Sequence, residues 1–128
     1  MAKTTIYSPR VTRTKAPHAH AVKTNGLIFV SGCPAYFDDM QIAHNDFPAQ
    51  LRQSLTNVKH ILEDAGSSLE KVVKVNVFLA RISDFDEMNG IYQEFFGTDP
   101  ENWPARTTVQ AAMPRDKFLL EIECVAEA

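Results

Sequence analysis

Residues 72–79 read Val72-Val73-Lys74-Val75-Asn76-Val77-Phe78-Leu79. The run alternates, is rich in β-branched side chains and contains neither Gly nor Pro, so it predicts a central β-strand. Helical patterns flank it on both sides. Upstream, Leu51, Leu55, Val58, Leu62 and Ala65 recur at spacings of 4, 3, 4 and 3, one stripe of a 3.6-residue period. Asp46 is placed to be the N-cap of this helix, Pro48 is tolerated in its first turn, and Gly66 ends it. Downstream, Phe85, Met88, Tyr92 and Phe95 fall on one helical face, and Ser83 with Asp86 has capping-box spacing with Asp in place of Glu.

Further out, both ends of the chain read as strands. Thr4 to Tyr7 is β-prone and stops at Ser8-Pro9, and Ala19 to Lys23 follows. Asn25-Gly26 is a turn dipeptide that joins this second segment to Leu27–Ser31 as a hairpin. At the other end, Arg106–Ala111 and Phe118–Ala126 read as a strand pair joined around Met113-Pro114-Arg115-Asp116. The predicted order is β-β-β-α-β-α-β-β: a mixed α+β sheet with two helices on one face. No linker, repeat or low-complexity block interrupts residues 1–128, so a single domain is expected.

Composition sets the outer limits. The chain has 128 residues, 45% hydrophobic and 23% charged, which is the balance of a soluble domain. Its longest aliphatic or aromatic stretch is Leu27-Ile28-Phe29-Val30, far short of the roughly 18 residues that a membrane helix needs. No apolar segment follows a basic start, and the two cysteines, Cys33 and Cys124, form no CxxC pair. A reducing, cytoplasmic setting is the expectation. The net charge of −3 argues against a general nucleic-acid binder. Charge is unevenly spread, however. Residues 1–37 hold Lys3, Arg10, Arg13, Lys15 and Lys23 and no acid. That pattern fits an organellar transit segment, a basic surface, or a basic lining of a pocket for acidic substrates.

The last two strands carry the best chemical signal. By alternation Arg106, Thr108 and Gln110 point one way, while Glu121 and Glu123 point away from the core residues Leu120, Ile122 and Cys124. A turn centred between Pro114 and Arg115 would set Thr108 opposite Glu121, with Arg106 diagonal to it. One guanidinium and two carboxylates would then share a sheet face. That face is either solvated, with weak cross-strand ion pairs, or a pocket floor on which Arg106 clamps a carboxylate and Glu121 handles a proton. His18 and His20 have a spacing compatible with metal binding on a strand, but no third ligand lies nearby, and no metal is expected. Cys33 lacks an Asp-His pair to activate it. No glycine-rich phosphate loop is present.

The ordered set Gly26-Leu27-Ile28-Phe29-Val30-Ser31-Gly32, Gln50–Lys59, Ala65–Leu69, Val73–Leu79, Asp84-Phe85, Met88–Tyr92, Pro104–Val109 and Glu121-Ile122-Glu123 resembles the reactive-intermediate deaminase family, RidA or YjgF. The resemblance covers essentially the whole chain. It implies a chorismate-mutase-like fold and a homotrimer with three clefts between subunits. It further implies hydrolysis of enamines and imines of amino acids to 2-oxo acids and ammonia, without metal or organic cofactor. In that pattern Arg106 matches the arginine that grips the substrate carboxylate, and Glu121 the glutamate that activates water. Ser31, the backbone of Gly32, Asn89 and Thr108 match positions lining the cleft.

Two positions depart from many imine deaminases of the family. His18 stands where a tyrosine is usual, and Thr108 where cysteine is frequent. Members that deaminate 2-aminomuconate are similar to this chain at both places. The implied function is therefore enamine or imine deamination of a small carboxylate. The alternative is a non-catalytic, small-carboxylate-binding regulatory trimer of the same fold.

Overall fold

The longest apolar stripe of the chain builds the longer of its two helices, and that helix sets the position of everything else. In the computed structural model, which describes residues 2–128, helix α1 spans Phe47–Asp64. Its ends form as the sequence predicts. Asp46 Oδ1 accepts a hydrogen bond from the Ala49 amide at 3.0 Å. Gly66, at φ +85°, closes the other end, its N–H bonding Glu63 O while Ser67 N–H reaches back to Leu62 O. Leu51, Leu55, Ile61 and Leu62 are fully buried.

The strands are β1 (Thr4–Ile6), β2 (Ala21–Thr24), β3 (Leu27–Cys33), β4 (Val72–Leu79), β5 (Ala105–Gln110) and β6 (Leu120–Glu127), with a second helix, α2, at Phe85–Phe96. They form one six-stranded sheet in the order β1-β2-β3-β6-β4-β5. Both helices pack on one face, where Ile28, Val75, Val77, Leu79, Leu120 and Ile122 meet α1 and the Met88 and Ile91 side of α2. The other face is uncovered, with Phe29 and Val109 each more than 40% exposed.

Three expectations require correction. The last two strands are not a hairpin: β5 runs parallel to β4, while β6 inserts antiparallel between β3 and β4. The cause is α2, whose 12 residues provide the crossover that parallel pairing requires. Ser83 does not cap α2, because residues 82–84 form a 3₁₀ turn. Asp84 stands at the N-cap without a capping bond, its carboxylate paired with Arg81 Nε at 3.0 Å. His18 and His20 precede β2 and lie in the loop before it.

Three polar side chains on α1 are buried beside its apolar stripe, and they fix the loops around the sheet. Gln50 Nε2 donates to Ala43 O and Lys117 O, and its Oε1 accepts from Leu119 N–H. Ser54 Oγ donates to Cys33 O at 2.6 Å, and Asn57 Nδ2 donates to Pro34 O and Tyr36 O. The exit of β3 is thus held on α1 by side-chain bonds to backbone carbonyls, an arrangement that buried polar groups require.

Candidate functional site

Register decides which side chains can meet. Residues paired across adjacent strands point to the same face. Val75 pairs with Arg106 on β5 and with Cys124 on β6, and Val77 pairs with Thr108 and with Ile122. Arg106 and Thr108 therefore lie on the helix-covered face. Phe78 pairs with Glu121, and Asn76 with Glu123, so both glutamates lie on the open face. The expectation that Arg106, Glu121 and Glu123 share a face fails. Phe78, not Thr108, sits opposite Glu121. Within one chain the candidate residues form two separate groups.

The first group surrounds Arg106. Its Nη2 donates to Asn89 Oδ1 on α2 at 2.7 Å. Its guanidinium carbon lies 4.8 Å from the centre of the Tyr92 ring and 5.7 Å from that of Phe85. Tyr92 in turn stacks on Phe96, with ring centres 4.5 Å apart. Among the described residues no carboxylate forms an ion pair with Arg106. A planar cation is thus held on an aromatic base and tied at one corner, with donors left for an anion. Trp103 and Pro104 complete the cleft, Trp103 being anchored by its indole N–H on Gly97 O at 2.8 Å. The hydroxyls of Tyr92 and Thr108 are buried without a hydrogen-bond partner in this chain. Burial pushes the Tyr92 phenol up to about 12, against the pull of Arg106, so it stays protonated.

The second group gathers at the end of β3. A β-bulge between Val30 and Cys33 distorts the pairing at Ser31 and Gly32. A Cβ at position 32 would come within 3.4 Å of Glu121 Oε1, so glycine keeps the space before that carboxylate open. Ser31 Oγ donates to Ala19 O at 2.6 Å, and His18 Nδ1 donates to the same carbonyl at 3.1 Å. The remaining ring nitrogen of His18 accepts weakly from Thr14 Oγ1 at 3.3 Å. Burial raises the Glu121 carboxyl above the usual carboxylate range, the nearby His18 opposes this, and Glu123 reinforces it. Glu123 itself accepts from Asn76 Nδ2 at 3.0 Å.

Other sequence candidates have structural roles. The His20 ring is buried, receiving the Ser8 N–H on Nδ1 at 2.9 Å and donating from Nε2 to Thr12 O at 3.1 Å, so neither nitrogen is free for a metal. Cys33 and Cys124 are buried, and burial lifts both thiols out of the reactive range. Among the described residues no group of three or more His, Cys, Asp or Glu side chains could hold a metal ion. Likewise none of their helices is long and apolar enough to cross a membrane.

The chain is similar to known proteins along most of its length. The model of the family described as Endoribonuclease L-PSP matches residues 10–128. The chain belongs to the YjgF/RidA family. The mitochondrial protein mmf2 of Schizosaccharomyces pombe is 41% identical over 129 residues, covering 98% of each chain. The 3-aminoacrylate deaminase RutC of Acinetobacter baylyi is 37% identical over 112 residues, 87% of this chain and 86% of that enzyme. The crystal structure of the YjgF gene product of E. coli superimposes with a TM-score of 0.87 at 32% identity, covering 97% of this chain and 98% of that one. The mixed α+β sheet with two helices is thus the YjgF/RidA fold, and this family includes an enamine deaminase.

Sequence reading missed Tyr92 as the base under Arg106, having assigned it to the core stripe. It also missed the polar clamps of α1. Their signal was present: Gln50, Ser54 and Asn57 recur at helical spacing along one flank of the apolar stripe.

Proposed function

We propose that this chain is a homotrimeric deaminase of small 2-imino or 2-enamino acids, with each active site assembled from two subunits. One observation carries the reading. Arg106, a guanidinium that pairs with no carboxylate of the described residues, and Glu121, a carboxylate of raised proton affinity, lie on opposite faces of one sheet. A site using both needs Arg106 from one copy and Glu121 from another, and the uncovered sheet face offers the contact between copies.

In this reading the substrate carboxylate docks on Arg106, with Asn89 holding the guanidinium and Tyr92 beneath it. Orientation matters because the C2 carbon of an imine is already electrophilic. Water adds to C2 of the N-protonated imine as Glu121 takes a proton from it, giving a neutral carbinolamine. Glu121 returns that proton to the nitrogen, the C2–N bond breaks, and as ammonia leaves the hydroxyl proton passes to the again ionised Glu121, leaving the carbonyl of a 2-oxo acid. For an enamine, protonation at C3 precedes this sequence. Ser31, Gly32, Thr108 and His18 line the volume around C2. His18 places an imidazole, held between Ala19 O and Thr14 Oγ1, where a phenol is usual, which bears on substrate choice more than on the hydrolytic step. No step requires a metal or organic cofactor.

The test is ammonia release from freshly generated 2-iminobutanoate and from 2-aminomuconate, alongside calorimetry with the product 2-oxo acids. Turnover supports the deaminase. Binding without turnover of either substrate would establish the carboxylate-binding regulatory trimer instead.

A further inference from the structure

Beside the Glu121 group lies a groove lined by Lys3, Tyr7, Arg13, Lys15 and His18, and among the described residues no acidic side chain lines it. Among the described residues none of Lys3, Arg13 and Lys15 takes part in an ion pair. Arg10, three residues before Arg13, is different: it is tied to Asp64 and Glu63 at 2.9 and 3.2 Å. Arg13 is nonetheless held in place. Its guanidinium carbon stands 3.5 Å from the centre of the Tyr7 ring, and Tyr7 meets the His20 ring edge-on at 5.5 Å. The bonds of His20 to Ser8 and Thr12 fix that ring in turn. The result is a column of three side chains with a cation at its outer end, whose donors meet no carboxylate among the described residues. An aromatic face orients a guanidinium without neutralising it.

His18 forms a wall of this groove and also lines the small cavity beside Ser31 and Gly32. We propose that the groove is a second anion subsite, and that the preferred substrate is a 2-imino or 2-enamino acid bearing a second, distal carboxylate. This rests on the two-subunit deaminase reading. With the first carboxylate on Arg106 and C2 before Glu121, a chain extending past His18 enters a groove of uniform positive sign. Arg13 and Lys15 there receive the distal charge.

The experiment compares two product analogues of equal chain length, 2-oxoglutarate and 2-oxopentanoate, by calorimetry on the intact protein. The diacid should bind about tenfold more tightly, and that ratio should shrink as salt screens the exposed charges. In Arg13→Ser and, separately, in Lys15→Ser, the ratio should fall towards one. Lys15 is exposed, so its substitution tests the groove without touching the Tyr7 column. A ratio of one in the parent protein, or a ratio that both variants leave unchanged, overturns the subsite while leaving the deaminase reading intact. If neither acid binds, the Arg106 clamp itself is wrong, and the subsite falls with it. Inorganic phosphate provides the last arm. Phosphate that competes with 2-oxoglutarate but not with 2-oxopentanoate supports a shared anion position. Phosphate that binds without displacing the diacid marks a free-anion site unrelated to substrate and overturns the proposal.

Discussion

In the proposed deamination Arg106 and Glu121 have separable roles, and conservative substitutions separate them. Arg106→Lys keeps the charge but loses the planar fork that Asn89 and the Tyr92 ring hold in place. We expect kcat/KM to fall by about 10²-fold or more, and 2-oxo acid binding to weaken in calorimetry. Glu121→Gln keeps the shape but removes the base, so product binding should survive while kcat drops by roughly 10² to 10⁴-fold. Equal acid affinity in Arg106→Lys and the parent would refute the clamp. The pH profile gives a second residue-scale test. In the proposed reaction Glu121 acts in its ionised form, and burial holds its pKa above the usual carboxylate value. The rate should therefore fall on acidification at a pH above that expected of an ordinary glutamate. Glu123→Gln removes the like charge beside it, which lowers the Glu121 pKa and should move the acid limb to lower pH. A limb that stays in place would assign the titration to another group.

At the scale of elements, the polar flank of α1 organises the loops that carry the site. Gln50→Leu keeps the volume but leaves Ala43 O, Lys117 O and Leu119 N–H without their partner. Stranded polar groups of this kind cost about 3 kcal/mol or more together, to be read from urea unfolding at fixed protomer concentration. A loss below about 1 kcal/mol would show that water replaces the side chain. The same helix shows which elements were legible beforehand. Asp46, the Leu51–Leu62 stripe and Gly66 lie close together in sequence, and local rules of capping and periodicity suffice for them. The pairing of β5 was misread because strand register is a long-range property. Alternation told correctly that Arg106, Thr108 and Gln110 share a face, but not which neighbour they would meet. A better guide lay in the segment between β4 and β5, which is long enough for a helical crossover. The misreading reversed the geometry of the candidate site while leaving its residues the same. Family resemblance supplied Asn89, which periodicity alone would assign to solvent, whereas its bond to Arg106 is visible only in three dimensions.

The arrangement of the whole molecule follows from that corrected register. One sheet face is covered by helices, and the other presents Phe29 beside Val125 and Val22, and Phe78 beside Val109. Closed symmetric assembly covers such a face on every copy at once, and a threefold ring makes three equal clefts. Sedimentation should therefore show a trimer at micromolar concentration; a stable monomer would leave Arg106 and Glu121 no means of meeting. Mixing inactive subunits tests the shared site more directly. In Arg106→Lys only the clamp is damaged, and in Glu121→Gln only the base. Each separately purified variant should be nearly inactive. When the two are unfolded together in equal amounts and refolded, a subunit with intact Arg106 can face one with intact Glu121. One ordered pairing in four is fully intact, so activity should recover to about a quarter of the parental value. If both residues acted from the same subunit, every site would carry one lesion whatever the mixture, and no activity would return. Recovery is therefore the signature of a site divided between copies, and its absence, in mixtures shown to be trimeric, would return both residues to a single chain.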